Sequence, residues 1–241
     1  MIKTENIEVW GFEHAIRGLR NPMNSWDKSD SYSRYFDKTD FDEDITDGII
    51  NANCDFILND YDDAILSGYV IGENDLDLMK RLYKAGTEHR KYLRQIFVSM
   101  DITAPLYWWK EYDTYKVGTV ANSCSTMHKI AAKEFELDDF SHEHLLDTGM
   151  WLLKTTIDRL NKWRSVYVLG NQVYEPKNKE IWWQMIQSLP TSYNQKRTVT
   201  LNYENVVTMI RQRTGHKLDE WNILIKELKE LPYVKEIINE D

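Results

Sequence analysis

Residues able to do chemistry are most concentrated in the segment Pro105-Leu-Tyr-Trp-Trp-Lys-Glu-Tyr-Asp-Thr-Tyr-Lys-Val-Gly-Thr-Val-Ala-Asn-Ser-Cys124. Two adjacent tryptophans, a Lys110–Glu111 charge pair and the triplet Thr114-Tyr115-Lys116 precede a Gly118-Thr119 turn and a run of small polar side chains. Such a mixture is poor core and poor linker. It suits the wall of a binding site, where rings supply area and a few polar groups orient a ligand. A second concentration is Ile210-Arg-Gln-Arg-Thr-Gly-His216. It reads either as a solvated basic face or as a site for an anion or a pyrimidine edge, because guanidinium donates two parallel hydrogen bonds to carbonyls or phosphate. His89, between Gly86-Thr-Glu and Arg90-Lys91, reads as a surface or capping residue when taken alone.

Other arrangements point away from chemistry. His142 and His144 stand two apart at an expected helix start, so they point in different directions and need a third metal ligand from elsewhere. A Ser141 cap with an acidic first turn explains them better. The carboxylates Asp40, Asp42, Glu43, Asp44 and Asp47 lack the ligand alternation, central Gly and terminal Glu of a calcium loop, and read as a solvated acidic face. No metal is expected. G-x-G-x-x-G, P-loop, G-x-S-x-G and H-E-x-x-H motifs are all absent from the sequence. Cys54 and Cys124 lie far apart with no C-x-x-C or Cys/His metal spacing, and free thiols are expected.

The 241 residues suffice for a real core, and 42% hydrophobic with 29% charged residues is a globular balance. A net charge of −9 argues against binding nucleic acid through its phosphates. The first residues carry no signal-peptide pattern and no apolar run approaches a membrane span, so a cytoplasmic protein away from membranes is expected. Nine Trp and fourteen Tyr serve a core by default, with some surplus for a subunit interface.

The elements that must position these residues follow from periodicity. Ile7–Phe12 alternates as a strand, and Ala15–Trp26 is rich in turn formers. Residues 27–48 read as an exposed acidic loop. A helix capped by Asn74-Asp75 ends at Gly86, and a second begins near Thr87, carrying His89, Tyr92, Leu93 and Ile96. Phe97–Thr103 is a strand that stops before Pro105, and the Trp-Trp segment is helical until Gly118-Thr119. His142–Val166 is a long amphipathic helix whose buried stripe includes Leu145, Leu146, Leu153, Ile157 and Leu160. Lys177–Ser188 is helical, and Arg197–Leu201 is a strand or an extended connection. Asn202 caps a helix over Tyr203–Arg213, and Lys217–Ile238 is one helix or two, interrupted near Pro232. The expectation is a single α+β domain over residues 1–241, a mixed helix–sheet unit that is mostly helical.

In frame, these pieces resemble the flavin-dependent thymidylate synthases, whose signature is R-H-R-x7-S. Thr114-Tyr115-Lys116, seven residues and Cys124 occupy that frame here. The match extends to Glu88-His89, Ala104-Pro105 and Gly118-Thr119, and in the C-terminal half to Leu189-Pro190, Asn202 and Arg213. It covers roughly residues 75–128 and 181–225, with a weaker likeness around Ala15-Ile-Arg17.

The resemblance implies a homotetramer that binds FAD and transfers a one-carbon group to a pyrimidine nucleotide such as dUMP. NADPH and methylenetetrahydrofolate would be co-substrates. It places His89, Thr114, Tyr115, Lys116, Asn122 and Asn202 at the flavin. Glu111, Cys124, Ser125, Thr126 and Arg213 would face the nucleotide, with Arg213 also in the catalytic role. The departures are specific. The two arginines of the triplet are Thr114 and Lys116, its histidine is Tyr115, and its serine is Cys124. Ile186 and Thr126 replace two further arginines, and Arg211, Arg197 or Lys196 are candidates to compensate. These losses support an alternative, a catalytically degenerate member that serves as a nucleotide-binding or structural protein.

Overall fold

The computed structural model describes residues 1–36, 54–56, 66–170 and 176–238. It is a mixed helix–sheet fold in which helix predominates. Its strands are β1 (Lys3–Trp10), β2 (Tyr32–Phe36), β3 (Cys54–Phe56), β4 (Leu66–Val70), β5 (Phe97–Pro105), β6 (Val120–Ser123) and β7 (Asn194–Asn202). They form a four-stranded sheet of order β1-β5-β7-β6 and a three-stranded antiparallel sheet of order β2-β4-β3. The helices are α1 (Phe12–Arg20), α2 (Glu73–Ala85), α3 (Leu106–Tyr112), α4 (Asp147–Gly170), α5 (Pro176–Ser188), α6 (Tyr203–Arg213), α7 (Asp219–Lys229) and α8 (Val234–Ile238). The chain divides into two compact units.

The first unit comprises Met1–Glu5, Asp101–Tyr115 and Ala121–Thr198. Its α4 and α5 bury Leu153, Ile157, Leu160 and Met185 against Ile130, Phe135 and Phe140. Asn161 fixes the facing loop, since its Oδ1 accepts from Phe135 N and its Nδ2 donates to Phe135 O. The expected stripe of α4 is too long at its start. The helix begins at Asp147, and Leu145 and Leu146 stand exposed before it. In α3, Trp108 and Trp109 are 0% and 1% exposed and pack edge-on with centroids 4.9 Å apart. The Trp-Trp pair is therefore core, not the wall of a binding site. Indole area is best spent where water is excluded.

The second unit comprises Asn6–Met100, Lys116–Val120 and Val199–Asp241. Its core includes Phe12, Ile16, Met79, Leu93, Ile96, Tyr203, Val206 and Trp221. Helix α1 occupies residues expected to be turns. Phe12, Ala15, Ile16 and Leu19 recur at helical spacing and are buried. The glycine that suggested a turn, Gly18, instead permits close packing, because a Cβ there would lie 2.4 Å from Gln95 Oε1. Gly86 ends α2 with φ +107°, as expected. The segment after it forms only a short 3-10 helix over Lys91–Gln95, not an α-helix from Thr87. Asn202 caps α6 as expected, its side chain accepting from Asn205 N. The C-terminal stretch divides into α7 and α8 on either side of Leu231–Tyr233.

The acidic loop resolves differently from expectation where it is described. Residues 37–48, with Asp40, Asp42, Glu43, Asp44 and Asp47, lie outside the described residues. Before them, Ser29-Asp30-Ser31 forms a stitch onto α2. Asp30 caps that helix from a distance, its carboxylate accepting from Asn74 N and Asp75 N at 2.9 and 3.1 Å. Asp75, expected to cap the helix, is instead 0% exposed and ion-paired to buried Arg20 at 2.7 Å. Its other oxygen accepts from the hydroxyls of Ser29 and Ser31, each at 2.6 Å, and from the backbone N–H groups of Asp30 and Ser31.

Candidate functional site

In the first unit, the candidate residues stand on the end of α3, the edge strand β6 and the loop after it. Glu111 is half-buried in the last turn of α3, and Thr114 is exposed one residue past the helix's terminal Asp113. The Thr114 hydroxyl donates to Glu111 O at 2.7 Å, so its proton is committed to the chain. Tyr115 is buried. Asn122, Cys124 and Ser125 are exposed and Thr126 is half-buried. Ser125 Oγ accepts from His128 N at 3.0 Å, which folds the loop into a tight turn.

One hydrogen-bonded network underlies this surface. Cys124 N donates to Lys196 O at 2.9 Å, and Gln195 Nε2 donates to Cys124 O at 2.8 Å. Gln195 O in turn accepts from Trp109 Nε1 at 2.9 Å, and Gln195 Oε1 accepts from Arg197 Nε at 3.0 Å. The Arg197 guanidinium lies 4.2 Å over the Trp109 ring and donates through Nη1 to Asp113 at 2.8 Å. The buried tryptophan thus acts on this surface indirectly, as the platform under Arg197. Nearby Tyr112 is buried, and the loss of solvent pushes its phenol above the usual range. Lys196, on the same strand, is engaged by Asp101 at 3.0 Å and Glu5 at 3.4 Å.

In the second unit, His89 and Lys116 are exposed, and Asn202 is buried. Asn202 Oδ1 accepts from Asn205 N and Asn205 Nδ2, both at 3.1 Å. Asn205 Nδ2 also reaches Gly118 O at 3.3 Å. Gly118 sits at φ +74°, and a Cβ there would come 2.5 Å from Asn202 Nδ2. The backbone just after Lys116 is thereby held against the start of α6. Arg213, at the other end of α6, lies 4.7 Å over the Trp221 ring, with Nη1 3.1 Å from His216 Nε2. The intervening geometry fixes the guanidinium plane.

Buried Arg90 donates through Nε and Nη2 to Glu204 Oε1, at 3.1 and 2.9 Å. It belongs to the packing of α6, a role that Glu88-His-Arg-Lys91 does not signal. Gln195 and Asp113 carry no motif of their own either. The alternation along β7, with Gln195, Val199 and Leu201 buried, could have flagged Arg197 as a core-facing cation. His142 and His144 precede α4 rather than opening it, and His142 Nδ1 lies 2.8 Å from Phe140 O. Among the described residues, no group of three His, Cys, Asp or Glu side chains could hold a metal ion. No helix among them is long and apolar enough to cross a membrane.

The donor set can be tested against a flavin. Asn122 in the first unit, and His89 and Lys116 in the second, present exposed polar side chains of the kind that meet ring carbonyls and a diphosphate. Tyr115 and Asn202 are buried, and Thr114 has its proton engaged. Taken one unit at a time, fewer exposed polar side chains are offered than the resemblance implies.

No family model matches the sequence, and no curated protein matches it. Solved structures do. One is the crystal structure of thymidylate synthase X from Helicobacter pylori with FAD and dUMP, at 16% identity and a TM-score of 0.59, covering 100% of this chain and 97% of that chain. A second structure of the flavin-dependent thymidylate synthase from Helicobacter pylori, complexed with FAD and dUMP, has the same identity and TM-score over 98% of this chain and 99% of that one. The chain therefore shares the fold of these flavin-dependent synthases at a sequence identity of only 16%.

Proposed function

We propose that this chain is a divergent flavin-dependent thymidylate synthase-like protein that binds FAD and a pyrimidine nucleotide such as dUMP, and transfers a one-carbon group to it. The observation that carries this reading is the shared fold over the whole chain, with proteins solved holding FAD and dUMP. The preorganised Arg213 supports it. A guanidinium held over the Trp221 ring is partly pre-ordered, which lowers the side-chain entropy lost when it meets a uracil edge or a phosphate.

A bound flavin would supply the reducing chemistry, and no protein nucleophile would be needed. The protein's own part is binding and orientation. Lys116 would offer a point charge, Asn122 and His89 would offer hydrogen bonds, and Cys124, Ser125 and Thr126 would line the nucleotide. Homotetramer formation is part of the proposal. Exposed Trp151, Leu152 and Leu169 on α4 offer apolar surface for another copy.

The second reading, a degenerate member that binds a nucleotide without turnover, is favoured by the lost arginines at 114, 116, 126 and 186. The test is the visible spectrum of purified protein, before and after addition of FAD, followed by a thermal melt with dUMP. Isoalloxazine absorbance and a melting temperature raised by dUMP are expected. A colourless protein that takes up neither FAD nor FMN would sink the flavin reading. Flavin and dUMP binding with no thymidylate formed from dUMP, methylenetetrahydrofolate and NADPH would select the degenerate one.

A further inference from the structure

We infer that Arg197 is a phosphate-binding residue, replacing in function the arginine that the signature frame lacks at Thr114. This rests on the proposed function for the identity of the phosphate donor, not for the site itself. Three candidates could compensate for the missing arginines. Lys196 is engaged by two carboxylates, Asp101 and Glu5. Arg211 is exposed on α6 in the other unit, beside a small recess of about 240 Å³ lined by Tyr83, Val207 and Ile210. Arg197 is built by its side chain into the surface that carries Thr114 and Cys124.

Its construction is that of an oxyanion site. The side chain leaves β7 on the face where Gln195, Val199 and Leu201 are buried, and is itself only 16% exposed. Trp109 supports the guanidinium from below and Gln195 holds Nε, so the plane and direction of the fork are fixed. Nη1 reaches Asp113, while Nη2 has no protein acceptor among the described residues. That remaining donor edge is not among the buried unpartnered atoms, so it is open to solvent and a phosphate oxygen can take it without displacing a protein acceptor. Asp113 is 51% exposed at the end of a helix, so its carboxylate can yield to a stronger anion. Through Gln195 the same fork is coupled to Cys124, one residue from Ser125 and its turn. A phosphate seated here would lie against both ends of the segment from 114 to 124.

Binding measurements on the full chain test this, with dUMP against deoxyuridine, FAD against riboflavin, and pyrophosphate as the bare probe. Arg197→Gln is expected to weaken dUMP, FAD or pyrophosphate by roughly 10- to 100-fold, leaving the phosphate-free partner unchanged. Loss confined to dUMP assigns the nucleotide phosphate, and loss confined to FAD assigns the flavin diphosphate. Asp113→Asn removes the competing carboxylate and is expected to tighten the same ligand several-fold, which a purely structural Arg197 would not produce. It serves also if Arg197→Gln fails to fold. Arg197→Lys should recover part of the affinity.

If wild type binds FAD and dUMP but none of these variants shifts them, the inference fails and the proposed function stands. If wild type binds only pyrophosphate, through Arg197, the inference stands and the proposed function fails. No binding of any phosphate ligand overturns both.

Discussion

Replacing Asp75 with alanine is the sharpest probe of how the second unit is held together. The Asp75 carboxylate accepts from Arg20 Nε, Ser29 Oγ, Ser31 Oγ, Asp30 N and Ser31 N, and the residue is 0% exposed. Truncation strands the Arg20 guanidinium, itself 6% exposed, without its counter-ion. Breaking a buried pair from one side costs about 3–5 kcal/mol. For a chain of this size each kcal/mol lowers the melting temperature by about 2–4 °C, so a drop of about 6–20 °C is expected. Arg20→Leu should cost less, since the carboxylate keeps its four hydrogen bonds from residues 29–31. The double variant should cost less than the sum of the two, because the stranded charge is gone.

Acid gives a second signature. Burial works to raise the Asp75 carboxyl, but the bonds from Ser29, Ser31 and Arg20 outweigh it and hold the carboxyl below its ordinary value. A carboxyl depressed in the folded state stabilises above its unfolded value of about 3.9, and that stability is lost as pH falls through the folded value. Wild type should lose stability below about pH 4 more steeply than Asp75→Ala. The assay is urea unfolding followed by tryptophan fluorescence and circular dichroism across pH 3–7. A loss under about 1 kcal/mol at pH 7, or strictly additive single costs, would refute the reasoning.

Other outcomes can be checked together. Arg213→Ala should abolish any thermal shift produced by dUMP, because it removes the fork held over Trp221. Gly118→Ala should destabilise by about 1–3 kcal/mol in chemical denaturation, since it combines a left-handed φ with a Cβ pressed on the Asn202 amide. Asn202→Ala should cost about 1 kcal/mol from the lost cap and should raise amide exchange in the first turn of α6. Leu160→Ala, at a fully buried position of α4, should cost about 2–5 kcal/mol by calorimetry.

The elements legible in the sequence are those fixed by local pattern. Leu76, Met79 and Tyr83, with Gly86 behind them, announce α2, and Asn202 before Tyr203–Arg213 announces α6 and its cap. Helix α1 was hidden because Gly18, a helix-disfavouring residue, serves a contact with Gln95, nearly eighty residues away. Asp75 looked like a cap because its type and place suit one, and only the fold brings Arg20 and Ser29–Ser31 around it. The same limit applies to the site. The spacing Thr114–Cys124 was visible, but the platform beneath it joins Asp113, Trp109, Gln195 and Arg197 across two distant stretches. Alternation along β7 can place Arg197 on the inward face, but nothing local puts the Trp109 ring beneath it.

The stitch at Ser31 has a consequence for the chain's evolvability. Ser31 Oγ accepts from Gly72 N, and the pairing Tyr32↔Val70 follows at once, so whatever lies between enters and leaves through one closed gate. Sequence change beyond Phe36 on one side and before Leu66 on the other is therefore buffered from α1 and α2 by the closure at Ser31.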